Sequence, residues 1–314
     1  MSTSPRRTRR QRKALMTETQ PTPPDALPNN PSATSSQSAL NNLPIQQITP
    51  LPARLTAKQT ALSRSDHALL LRKQSLLRTG SLSTESSLPS SVAATLVFAQ
   101  HEAGTAVCIR PSGILLTCAH CVAESPSELD LSATHWLIFA SGTVVGARCV
   151  AWDPKLDLAL LRVVASQQDT TSLLPLTTKD LGAQQMFPAV DVAEETPPVG
   201  TKLVCVGHPG SEDLEAPEPG RKTGYDVLHA SFGRFRGCAM GQDPLDNEEI
   251  GALMHDCWTY WGHSGAPLLD KATGKLVGLH SSWDDTTGMR RGVPLDAVRA
   301  FLAKSNTILA TPDL

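Results

Sequence analysis

The sequence predicts an all-β fold, an antiparallel barrel or sandwich, with a polar tail and one helix in front and one helix behind. Three observations carry that reading. From about residue 92 the chain breaks into short apolar runs, VAATLVFAQ, TAVCIR, GILLTC, HWLIFA, TVVGARCVAW and LDLALLRV, each bounded by turn residues. Such runs are strand signals, and a succession of them with no helical spacing in between favours antiparallel pairing. A second set, KLVCVGHPG, YDVLHASFGRF, GALMHDCW, APLLD and KLVGLHSSW, follows a Pro- and Glu-rich stretch near 191–199. Then PLDAVRAFLAK puts Leu295, Val298, Phe301 and Leu302 on one face, the period of a closing helix.

Taken in order, the elements begin with a tail that composition sets apart. The 314 residues carry a net charge of −2, but residues 1–90 hold 12 Lys plus Arg against 4 Asp plus Glu, and the remainder 16 against 26. The first 50 residues are rich in Pro, Ser, Thr, Asn and Gln, and such a stretch buries too little apolar surface to offset its ordering entropy. Disorder is the expectation. PRRTRRQRK at 5–13 has six cations in nine positions, which reads as a solvated basic tail, a nuclear import signal, a nucleic-acid contact or a mitochondrial presequence. The last is disfavoured because the run has almost no apolar face. No apolar core of a secretory signal and no membrane-length run occurs, so an intracellular, cytoplasmic or nuclear, soluble protein is expected.

Residues 54–80 read as an amphipathic helix. Leu55, Leu62, Leu69 and Leu76 recur every seven positions, yet Lys58, Gln59, Ser65, Asp66, Arg72 and Lys73 fill the places a coiled coil would make apolar. A single helix therefore either docks on the following domain or covers its cleft. The expected divisions are a tail over 1–53, the helix over 54–80, a linker over 81–91, one domain over 92–306 and a tail over 307–314. Within the domain the halves run about 92–190 and 199–293, with the closing helix at 294–305.

The chemistry centres on TYWGHSGAPLL, residues 259–269, where Ser264 stands between Gly262 and Gly265. A serine hydroxyl is a weak nucleophile that needs a base beside it and donors for the oxyanion it creates. Glycine lets the backbone turn so that the N–H groups of Gly262 and Ser264 face one point. His120, at the end of GILLTCAHCV, is the candidate base. Asp157, leading into LALLRVV, is the candidate acid; its rival Asp153 precedes Pro154 and suits a turn. The order His, Asp, Ser excludes an α/β-hydrolase, in which serine comes first.

With those residues in place, the chain resembles the trypsin-like serine peptidases, and among them the HtrA-like (Deg) type. Five segments match in order over residues 92–304: GTAVCIRPSGILLTCAHCV, DLALLRV, KLVCVGHPG, GHSGAPLL and GKLVGLHSS with RRGVPLDAVRAFL. The resemblance implies two six-stranded antiparallel β-barrels, with His120 and Asp157 from the first and Ser264 from the second. It implies His120 as general base, Asp157 as its orienting partner, Ser264 as nucleophile, and Gly262 and Ser264 as backbone oxyanion donors. It also implies a cleft lined by Trp258, Tyr260 and Trp261 and by His280, Ser281, Ser282 and Trp283, although these equally suit a core. No acid stands in the run before Ser264, so an apolar primary pocket is expected.

Two positions depart from the family. His263 stands where trypsins carry Asp and the HtrA type Asn, which argues against activation by a new amino terminus; Ala266 replaces a glycine. Only 20 residues follow Pro294, too few for a PDZ domain.

Cysteine offers a rival reading, since Cys118, Cys121, His255 and Cys257 form a soft zinc set on paper. Against it, the C-x-x-C is part of the histidine motif, and seven cysteines without clear pairing suggest free thiols. The expected function is a serine endopeptidase, needing no cofactor or metal, that cleaves peptide bonds of protein substrates, including unfolded ones. The alternatives are a weak pseudoprotease or peptide-binding module, and a protein that the basic tail brings to the nucleus or nucleic acid. Relatives of the HtrA type form trimers, so the resemblance raises a homotrimer as one assembly.

Overall fold

The computed structural model describes residues 48–80, 90–99, 104–167, 186–213, 216–218 and 220–309. The basic run at 5–13 and most of the expected tail and linker lie outside these residues.

Twelve of the thirteen strands among the described residues form two closed barrels, as the patterning and the resemblance predict. In the first, β2 (Thr95–Phe98), β3 (Thr105–Arg110), β4 (Ile114–Thr117), β5 (His135–Phe139), β6 (Val144–Asp153) and β7 (Leu158–Gln167) pair antiparallel in the ring β2-β3-β4-β7-β6-β5. In the second, β8 (Lys202–Gly207), β9 (His229–Cys238), β10 (Leu253–His255), β11 (Pro267–Asp270), β12 (Leu276–Trp283) and β13 (Arg290–Pro294) close as β8-β9-β10-β13-β12-β11. Closure removes the unpaired edges that antiparallel strands otherwise expose.

Strand β8 shows how two-residue alternation builds the molecule. Leu203 and Cys205 enter the smaller core with Phe235, Leu253, Ala266 and Leu268. Val204 and Val206 point the other way, into a core continuous with Leu96, Leu116, Leu137 and Leu160 of the first barrel. One strand thus seals its own barrel and joins the two.

The N-terminal segment departs from the single helix expected over 54–80. A short strand, β1 (Thr49–Leu51), runs parallel to the edge of β7, and helices α1 (Ala57–Thr60) and α2 (Arg64–Thr79) follow it. The break has a local cause. Ala61 turns left-handed at φ 53°, and the Ser63 hydroxyl accepts from Asp66 N at 3.1 Å, starting a fresh helix. The buried face of α2 is Leu70, Lys73, Gln74 and Leu77, whereas Leu76 of the heptad is 46% exposed. Two polar residues can lie on that face because the first barrel satisfies them. Lys73 Nζ donates to Phe98 O at 2.9 Å, and Gln74 Nε2 to Gly142 O at 2.8 Å and Gln167 Oε1 at 2.7 Å. Trp136 Nε1 donates to Thr60 O at 2.8 Å. The segment is a strut on the first barrel.

Helix α3 (Leu295–Lys304) and the short α4 (Asn306–Leu309) end the described chain. Leu295, Val298 and Phe301 of α3 are buried, while Leu302 packs half-buried against them. No helix among the described residues is long and apolar enough to cross a membrane.

Candidate active site

Pairing of β4 with β7 brings His120 to Asp157. Thr117 lies opposite Ala159, so the histidine three residues past one strand meets the aspartate one residue before the other. Residues Ala119–Cys121 make a single 3-10 turn, pinned by Trp152 Nε1 donating to Ala119 O at 3.0 Å. The His120 Nδ1 atom is 2.8 Å from Asp157 Oδ1 and 3.0 Å from Oδ2, and its backbone N–H donates to Oδ1 at 3.3 Å. Asp157 is 1% exposed and sits at φ 53°, a left-handed conformation that Asp tolerates better than most residues. Its rival Asp153 instead accepts from Leu156 N at 3.0 Å and holds the turn.

Ser264 is presented by the loop that leads into β11. Gly262 and Gly265 have φ of +96° and +81°, and at Gly265 a Cβ would lie 2.0 Å from Thr105 O, so only glycine fits. The loop is clamped from the first barrel by Thr105, which the sequence reading missed. Thr105 N donates to Ser264 O at 2.8 Å, and its hydroxyl donates to Gly262 O at 3.2 Å while accepting from His208 N at 3.0 Å. Within the loop, Ala266 N donates to His263 O and Gly265 N to His280 O, both at 2.8 Å. The N–H groups of Gly262 and Ser264 donate to no acceptor among the described residues. The Ser264 hydroxyl donates to Ser281 O at 3.2 Å.

The expected cleft residues divide. Trp258, Trp261, Ser282 and Trp283 are half-buried, and the Trp261 and Trp283 rings meet edge to face at 4.3 Å. Ser281 is 6% exposed and serves through its carbonyl. His280 is 1% exposed and turns its ring inward, with Nδ1 3.1 Å from His255 Nε2. Its ring belongs to a buried trio of His255, His263 and His280. Burial holds His255 and His263 down to about 3 and His280 well below 6.5, with Arg290 and neighbouring imidazoles adding to the effect.

Among the described residues the four-residue zinc set does not assemble. The one cluster with ligand spacing is Cys118, His120 and Asp157, the His–Asp pair beside a buried thiol. Burial, and then the Asp157 charge, push that thiol well above its usual range. All seven cysteines are free.

Residues 104–279 match the family profile described as a trypsin-like peptidase domain. No curated protein sequence matches the chain. Among solved structures, an inactive-form serine-to-alanine mutant of Rv3671c from M. tuberculosis H37Rv is similar at 19% identity and TM-score 0.47, over 74% of this chain and 95% of that one. The HtrA-type protease AlgW, solved with a decapeptide, is similar at 20% identity and TM-score 0.44, over 66% of this chain and 52% of its own. A serine endoprotease from Yersinia pestis aligns at 17% identity and TM-score 0.46, over 70% and 65%.

Proposed function

The chain belongs to the trypsin-like peptidase family, and from that premise we propose that it is a serine endopeptidase acting through His120, Asp157 and Ser264. The observation that carries this reading is the half-buried His120 joined at 2.8 Å to the buried Asp157, with the neighbouring Cys121 Sγ donating at 3.5 Å to Ser264 O of a loop that has two unclaimed backbone N–H groups. Asp157 holds the imidazole with its proton on Nδ1, leaving Nε2 free to accept the Ser264 proton. The hydroxyl then leaves Ser281 O by a side-chain rotation, a motion of picoseconds to nanoseconds. It attacks the peptide carbonyl, and the oxyanion settles on the N–H groups of Gly262 and Ser264. Each such donor is worth about 3 to 4 kcal/mol in hydrolases. His120 returns the proton to the leaving amine, and water releases the acyl-enzyme. Protein or peptide chains are the substrate class.

The test is labelling with a fluorophosphonate probe. Wild-type chain should label, and Ser264→Ala and His120→Ala should not. A folded wild-type chain that does not label overturns the reading and leaves a peptide-binding module.

A further inference from the structure

Peptide hydrolysis gives no task to Cys118, two residues before His120. Its side chain is fully buried, and Sγ donates to His280 O at a long 3.5 Å. The same thiol joins His120 and Asp157 in a cluster whose three ligand atoms lie within 4.8 Å of one another. Thiolate, imidazole and carboxylate together suit Zn²⁺, Cd²⁺ and Co²⁺, and suit Mg²⁺ or Ca²⁺ poorly.

Size agrees with that donor set. Zinc bonds of about 2.0 to 2.3 Å at tetrahedral angles hold ligand atoms about 3.3 to 3.6 Å apart. The His120–Asp157 pair, at 2.8 Å, would open by about half an ångström and the thiol would approach by about one, which side-chain torsions supply. Water fills the fourth position. The imidazole is the way in, since the His120 side chain is 14% exposed against 2% for Asp157.

Charge agrees as well. Burial, and then the Asp157 carboxylate, push the Cys118 thiol far up, because each disfavours a second anion at this spot. A dication reverses the second effect. With one thiolate and one carboxylate it forms a neutral cluster, the form that a buried site favours. The proton accounting then decides the consequence. The thiol proton leaves to solvent, one for each ion bound, and coordination at Nδ1 leaves the imidazole proton on Nε2. That is the atom that must accept from Ser264.

We propose that Cys118, His120 and Asp157 form a site for a soft divalent cation of the zinc type, whose binding switches the triad off. Only the switching rests on the peptidase reading; binding stands on the cluster itself, and the two are tested by separate readouts.

The first readout loads the full wild-type chain with Co²⁺, which reports thiolate ligation through a charge-transfer band in the near ultraviolet. One ion per chain should give the band. Cys118→Ala and, as a second variant, Asp157→Asn, both checked for folding by circular dichroism, should bind at least about a hundredfold more weakly, and Cys121→Ala should keep the band. The second readout is fluorophosphonate labelling. Preincubation with Zn²⁺ should slow the wild type by at least about tenfold, EDTA should restore it, and Mg²⁺ should have no effect. Cys118→Ala should need at least about a hundredfold more Zn²⁺ for the same slowing. No cobalt band in the wild type overturns the proposal. So does a band that survives Cys118→Ala, one that Cys121→Ala removes, or equal zinc sensitivity in wild type and Cys118→Ala. Cobalt held through Cys118 in a chain whose wild-type form never labels keeps the site and removes the peptidase reading.

Discussion

The Nδ1 atom of His263 lies 3.1 Å from the backbone nitrogen of Tyr260, so a fully buried side chain closes the loop that carries Gly262 and Ser264. The same Nδ1 lies 3.1 Å from Tyr260 O, so the ring holds Tyr260 by accepting its N–H with the proton on Nε2 or by donating to its carbonyl with the proton on Nδ1. Room for the ring comes from Gly207 on β8, where a Cβ would stand 2.6 Å from His263 Cδ2. His263→Leu keeps the bulk and removes the polar partner of the Tyr260 backbone. It should destabilise the fold by about 1 to 3 kcal/mol, the cost of leaving a part-buried backbone polar group of Tyr260 unpaired. If Gly262 N–H also drifts, phosphonate labelling should slow by about a hundredfold. Labelling at the wild-type rate in a folded variant would sink the positioning role.

Acid should unfold this protein earlier than its net charge suggests. Folding holds His255 and His263 at about 3 and His280 well below the ordinary 6.5. Between pH 6.5 and about 3 the unfolded chain therefore binds protons that the folded chain refuses. Stability then rises with pH, and it is lost as pH falls through that window, by at most about 1.4 kcal/mol per pH unit for each histidine. Urea midpoints measured from pH 7.5 to 4.5 check this, and a flat profile contradicts it.

Asp157→Asn separates chemistry from folding. Asparagine accepts the left-handed backbone at φ 53°, so circular dichroism should match the wild type. The amide can hold the wrong imidazole tautomer, and peptide hydrolysis should fall by about 10³ to 10⁴. A loss below tenfold would show that Asp157 does not orient His120.

The strut predicts what truncation does. Phe98, Trp136, Gly142 and Gln167, which bond to α1 and α2, and Ala165 and Ser166, which pair with β1, belong to the first barrel, and none is a candidate site residue. Deleting residues 1–80 should lower the melting temperature without raising the labelling rate. Gln74→Ala alone should cost about 1 to 3 kcal/mol, because it strips the Gly142 carbonyl and the Gln167 amide oxygen of a buried donor. Faster labelling of the truncated chain would make the segment a lid.

What the sequence determined by itself was whatever a short stretch can encode. The two sets of strands show as runs of apolar residues between turn residues, and His120, Asp157 and Ser264 stand in the order from which the proposed roles of base, orienting acid and nucleophile were read. Glycines beside Ser264 follow from a loop that needs positive φ. These signals are local, because strand period and backbone conformation act over a few residues.

Tertiary structure alone decided the rest, because the deciding partners are far apart in the chain. Lys73 and Gln74 look like the wet side of a helix until Phe98, Gly142 and Gln167, which stand 25, 68 and 93 residues away, satisfy them. Thr105 reaches Gly262 across 157 residues, and no local pattern marks it as the clamp. His280 looked like a cleft residue, yet its ring turns inward to His255, 25 residues back. A buried polar group can lie on an apolar face once a distant partner satisfies it, and closure of the barrels supplies those partners.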